Sequence, residues 1–97
     1  MWRQGDVLLI AVDTLPEDLT AARDLVVAHG EATGHSHRFE AHARRFVDRR
    51  GRQFIEVLAD RAALVHEEHG TIVLPRGLYR VQIQREYSFG DPRPVAD

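Results

Sequence analysis

The stretch "LYRVQIQREY", residues 78–87, decides how the rest of the chain is read. Tyr79, Val81, Ile83 and Tyr87 alternate with Arg80, Gln82, Gln84 and Glu86, and Arg85 breaks the apolar series. Successive side chains of a β-strand point to opposite faces, so this period of two predicts a strand with one buried and one wet face. A helix would repeat its apolar positions every three to four residues. No segment of useful length does so.

The flanking segments are short apolar runs rich in valine, leucine and isoleucine, bounded by Gly, Pro and Asp. Residues 7–12 ("VLLIAV") read as a buried strand ended by a proline-containing turn, and residues 24–29 ("DLVVAH") as a second strand. After the loop "GEATG", alternation restarts over residues 34–40. Residues 46–48 and 53–58 form a hairpin through "DRRGRQ", with Gly51 in the turn. Residues 62–66 and 71–74 are two more short strands separated by "EEHG". "PEDLTAARD", residues 16–24, fits one short helical turn or a loop equally well. Many short strands with regular turn signals predict an all-β fold, a small antiparallel β-barrel or sandwich with little helix. Residues 1–88 form the expected domain, and residues 89–97, with two prolines and no periodicity, an extended or disordered tail.

Bulk properties narrow the function. Ninety-seven residues make one domain, and 43% hydrophobic with 29% charged residues is ordinary for a soluble globular chain. A net charge of -2 weighs against a dedicated nucleic-acid binder. The absence of cysteine excludes disulfides, thiolate metal ligands and cysteine nucleophiles. The apolar run at residues 7–12 is too short for a membrane span or a signal peptide's core, so a cytoplasmic protein is expected.

Chemistry concentrates in two short segments. "HGEATGHSHRFE", residues 29–40, holds three of the six histidines. On a strand, His35 and His37 project to the same side, with Phe39 continuing that face toward the core while Ser36 and Arg38 face out. Such a pair makes a bidentate arm for a divalent metal. "HEEHG" adds His66 and His69, at the end of a strand whose inward face is Ala62, Leu64 and His66. Neighbouring strands would join the two pairs into a four-histidine site, or a three-histidine site with an open position. Neutral imidazole suits zinc first, with iron, nickel and copper as alternatives. His29 and His42 stand outside the set, His29 as an outer partner or fifth ligand at most.

Three classes of function follow. A metal-dependent enzyme of hydrolase or oxygenase type would act on a small-molecule substrate, with Glu31, Glu40, Glu67 or Glu68 as general base or further ligand. A closed four-ligand shell would instead staple a small β domain that lacks disulfides. The third class is an RNA- or protein-interaction module built on "ARRFVDRRGRQF", where Arg44, Arg45, Arg49, Arg50 and Arg52 surround Phe46 and Phe54. The plainer reading of that stretch is a polar hairpin tip that keeps a β edge soluble. Edge strands and the tail suggest a homodimer.

"GEATGHSHRFE" resembles the first metal motif of cupins, with Gly30 as its glycine, His35 and His37 as paired ligands and Glu40 as the carboxylate. "LPRGLYRV" is similar to the turn of the second cupin motif through Pro75 and Gly77, although Arg80 stands where that motif carries histidine. The resemblance implies a small β-barrel with a histidine metal site. The combination of "MWRQGDVLL", "GEATGHSHR", "HEEH" and "GLYRVQIQREY" also resembles a group of small uncharacterised bacterial proteins, and that resemblance implies no particular activity.

Overall fold

A computed structural model describes residues 1–29 and 34–84, together with the backbone of residues 87–88 and 91–94. The fold is all-β: β1 (Trp2–Gln4), β2 (Val7–Val12), β3 (Thr20–Ala21), β4 (Val26–His29), β5 (Ser36–Phe39), β6 (Ala43–Val47), β7 (Gln53–Val65), β8 (Ile72–Ile83), β9 (Tyr87–Ser88) and β10 (Asp91–Pro94). The first eight make one antiparallel sheet, and β9 and β10 pair separately as a ribbon. No helix long and apolar enough to cross a membrane occurs among the described residues.

The alternation that opens the reading is present in β8, where Tyr79 is buried, Val81 and Ile83 are half-buried, and Arg80, Gln82 and Gln84 are exposed. Four expected short strands are in fact two long ones. β7 and β8 run unbroken through Asp60 and Pro75, and their pairing shifts register between Val57 and Arg61. The bulge absorbs the residues that read as breaks. Around Pro75 the described pairs of β8 are with β7 alone, and proline is tolerated on such a one-sided stretch because its missing N–H has no partner to lose. Residues 16–24 contain no helical turn; Thr20 and Ala21 pair with Val47 and Phe46 instead.

The same bend runs through the neighbouring strands. β5 pairs with the end of β7 (Phe39 opposite Leu64), and β6 pairs with its beginning (Ala43 opposite Val57). Between them the chain jogs at His42, whose φ is 64°, and the His42 carbonyl accepts the Leu58 N–H at 2.9 Å. The strand order β1-β2-β8-β7-β5-β4 therefore curls around a core that includes Leu9, Phe39, Ile55, Leu64, Leu74 and Tyr79. The sheet is not closed into a barrel, because among the described residues β1 and β4 or β5 share no backbone ladder. Side chains span that seam instead.

Candidate metal centre

The seam is built from three segments, and local sequence explains each. β1 and β2 join through a two-residue loop, Gly5 and Asp6, since Gln4 pairs with Val7. Gly5 has φ 58°, matching the glycine preferred at the first position of a tight hairpin turn. This hairpin puts Gln4 on the inward face, two residues from Trp2, whose ring meets Tyr79 edge-on at 5.5 Å. β5 alternates as expected, burying His37 and Phe39. His66 follows the end of β7 and opens a turn in which its Nδ1 accepts the N–H of Glu68 at 3.0 Å and of His69 at 3.3 Å.

His37, His66 and His69 come together here, with one candidate ligand atom from each lying within 4.8 Å of the others. Ring centroids are 4.3 Å apart for His37 and His66, 4.6 Å for His66 and His69, and 5.6 Å for His37 and His69. Tetrahedral zinc with Zn–N near 2.0–2.1 Å holds its nitrogens about 3.4 Å apart, so one ion fits after a small inward movement of the rings. His37 is wholly buried and His66 is 7% exposed. His69 lies against the hairpin turn so closely that a Cβ on Gly5 would come within 2.8 Å of its Nε2. That nitrogen is buried and makes no hydrogen bond among the described residues.

Hydrogen bonding fixes two protonation patterns. The Gln4 amide donates to the Leu64 carbonyl at 2.8 Å and the Gly70 carbonyl at 3.0 Å, so its oxygen must face His37 Nδ1, at 2.9 Å. An amide oxygen only accepts, hence Nδ1 of His37 carries the hydrogen and Nε2 of the neutral ring is unprotonated. That is the tautomer a ligand histidine uses, held by an outer partner. His66 is the reverse: its Nδ1 accepts two backbone N–H groups, so the neutral ring carries its proton on Nε2. For that Nε2 to bind a metal as a neutral imidazole, the hydrogen must move to Nδ1 and the two backbone N–H groups must give up that acceptor.

The other expected residues are arranged around this core. His35 precedes β5 and its ring meets His66 edge-on at 5.7 Å, while its Nδ1 lies 3.3 Å from the exposed Glu68 carboxylate. It stands at the lip of the cluster, outside the close triad. Glu67 accepts the Ser36 N–H at 2.9 Å and pairs with Arg38 at 2.6 Å. The Ser36 N–H, helped by the Arg38 guanidinium, holds the Glu67 carboxyl down at about 2, against a desolvation that raises it. A carboxylate held so low is a weak proton acceptor; its geometry is that of a strut between the "HEEH" turn and β5. Glu40 is exposed beyond the end of β5, and Glu31 lies outside the described residues. His29 is exposed at the end of β4.

The arginines lie elsewhere. Arg45 bonds Asp24 and Gln53, and Arg52 pairs with Asp48 at 2.6 Å. Arg44, Arg49 and Arg50 are exposed, Phe46 is half-buried and Phe54 is buried. Sequence reading missed Gln4, Gly5 and Asp6. The available signal was "QGDV", a Gly-Asp pair directly before an apolar run, which marks a tight hairpin and so a strand on its far side.

Residues 3–84 match the model of a family described as a domain of unknown function (DUF8820), and the chain belongs to that family. The matched span contains the curled sheet from Arg3 onward and every side chain of the histidine cluster. No curated protein and no solved structure matches the chain.

Proposed function

We propose that this DUF8820 domain binds one divalent transition metal ion, zinc in the first instance, through His37, His66 and His69, at the open seam of the sheet. The observation that carries this reading is the Gln4–His37 pair. A fully buried imidazole is held by an amide in the tautomer that directs an unprotonated Nε2 toward two further imidazoles. An all-imidazole set without thiolate favours zinc, iron, nickel or copper over softer chemistry. The three histidines come from β5 and from the turn after β7, and the β1–β2 turn packs on His69. An ion there pins the turn after β7 to β5 beside the open seam, and such a staple is one way a small domain without disulfides gains stability.

A catalytic role for the same ion has one observation in its favour. His35 and Glu68 sit together at the rim, with His35 24% and Glu68 61% exposed, where a small-molecule substrate and a proton acceptor would meet. Hydrolytic chemistry there would need a metal-bound water facing that rim.

The test is elemental analysis of the chain purified without an affinity tag, beside His37→Ala and His35→Ala/His37→Ala variants. About one zinc per chain, lost in both variants, is the expected result. Metal far below stoichiometry in the unaltered chain, with a melting temperature indifferent to added zinc, would refute the proposal.

A further inference from the structure

We infer that Asp6 supplies the oxygen ligand of the histidine centre, making it a three-imidazole, one-carboxylate site rather than a four-histidine one. This rests on the metal-binding reading above and adds a ligand that histidine spacing cannot reveal. Asp6 Oδ1 lies 3.6 Å from Nε2 of His37, and the Asp6 side chain is only 18% exposed. Since the Gln4 amide forces the hydrogen of neutral His37 onto Nδ1, the atom facing the carboxylate is a lone pair. Two lone-pair atoms at that separation repel each other in a poorly solvated site. A cation between them turns the repulsion into two attractions, as a second proton on the ring would by making a His37–Asp6 ion pair. With metal–nitrogen and metal–oxygen bonds of about 2.0–2.2 Å, a tetrahedral ion sets N···O at about 3.4 Å, close to the His37–Asp6 spacing found. The carboxylate would have to draw in toward the triad, whose own ligand atoms lie within 4.8 Å of one another.

The carboxylate is delivered by a fixed turn. The Asp6 carbonyl accepts the Gln84 N–H at 2.7 Å, tying the turn to the end of β8. On the other side Gly5 carries no side chain, and that is what lets the turn approach the His69 ring. The competing fourth ligand is His35. Its ring meets His66 edge-on at 5.7 Å, and it is not among the histidines whose ligand atoms lie within 4.8 Å of one another. The donor set of three nitrogens and one carboxylate oxygen selects divalent zinc, iron or nickel and disfavours copper(I), which prefers softer ligands.

Cobalt(II) and zinc titrations of the full chain, with any tag removed, test the assignment through visible absorption and calorimetry. The unaltered chain should take up one cobalt ion with tetrahedral d–d bands. His37→Ala should abolish them. Asp6→Asn should weaken zinc by about 100-fold, the upper end of what losing even an outer partner costs, and shift the cobalt bands. Asp6→Glu should recover binding to within about tenfold, and His35→Ala should change it less than about threefold. A zinc-free melting temperature of Asp6→Asn near that of the unaltered chain would exclude misfolding as the cause. Should that variant melt early, Asp6→Glu carries the test by its recovery of binding. Unchanged affinity and spectrum in Asp6→Asn, with His37→Ala inactive, would overturn Asp6 as ligand and leave the histidine site standing. An Asp6-independent site abolished by His35→Ala would also overturn it. Absence of cobalt and zinc binding in the unaltered chain would overturn the metal reading and this assignment together.

Discussion

The two ends of the sheet are rich in side chains of similar apparent promise, and they use them in opposite ways. At the arginine end, the tip of the β6–β7 hairpin, charges face water and neutralise one another locally. Burial pushes the Asp48 carboxyl up, but Arg52 and the N–H groups of Arg52 and Arg50 outweigh it and hold the group below its ordinary range. That arrangement stabilises a turn, and exposed pairs of this kind contribute little to the stability of the whole fold. At the histidine end, imidazoles are withdrawn from water, stacked within 4–6 Å of one another and oriented by partners that leave little freedom. Burying polar rings against each other costs free energy unless something binds them. Clustering in sequence marks both ends, whereas burial with a fixed tautomer marks only one.

Substitutions at the two ends should diverge accordingly. The largest effect is expected from His37→Ala, which opens a cavity and strands the Gln4 amide oxygen. It should cost about 2–4 kcal/mol in urea unfolding of the zinc-free chain. It should also forfeit the ligand-linked gain of about 2.7 kcal/mol that zinc gives at a hundred times its Kd. Gln4→Leu should cost about 1–3 kcal/mol, because the Leu64 and Gly70 carbonyls and His37 Nδ1 each lose a partner. A calorimetric zinc titration of the same variant should show affinity down by about 10–100-fold. If His37 and Gln4 behave like surface positions, the contrast between the ends collapses.

Gly5→Ala comes next, at about 1–2 kcal/mol for a Cβ at φ 58°. The His69 ring can swing away from the new methyl, so thermal unfolding should register the backbone cost and a zinc titration the displaced ring. A gentler contrast comes from acid. The Glu67 carboxyl sits at about 2 when folded and at the ordinary glutamate value of 4.5 when not, so its contribution is complete above about 4.5 and fades as pH falls toward 2. Melting temperature of the zinc-free chain should fall across that window, and Glu67→Gln should flatten the fall. Smallest of all, Arg49→Ala with Arg50→Ala should leave stability within about 0.5 kcal/mol. A larger loss would mean that the arginine end holds structure the geometry does not reveal.

The parts that were legible in the sequence are those encoded by local period. β8 declares itself through Tyr79, Val81 and Ile83, and the inward row Ala62, Leu64, His66 follows from the same rule, as do His37 and Phe39. What stayed hidden depends on pairing at long range. Asp60 and Pro75 look like strand ends because a bulge leaves no trace in a period-two pattern. Gln4 and Asp6 have no histidine-like signal, and nothing near them in sequence says that a curled sheet will carry them to His37. Nor does spacing tell His35 from His37: an i, i+2 pair reads as one side of a strand, yet His35 precedes β5 and its side chain remains 24% exposed at the rim, while His37 is wholly buried.

One feature of the topology bears on how the chain is made. Val7, Leu8 and Leu9 are synthesised more than seventy residues before their partners in β8, Ile83, Gln82 and Val81. The N-terminal hairpin must therefore wait, apolar side uncovered, until almost the whole domain has left the ribosome. Such non-local pairing slows folding and leaves early segments open to association with other chains. His37, His66 and His69 can meet one another before that moment, but Gln4 and Gly5 reach them only when the last long strand docks. Assembly of the complete histidine pocket is thus the closing event of folding, and a chain released short of residue 78 should never achieve it.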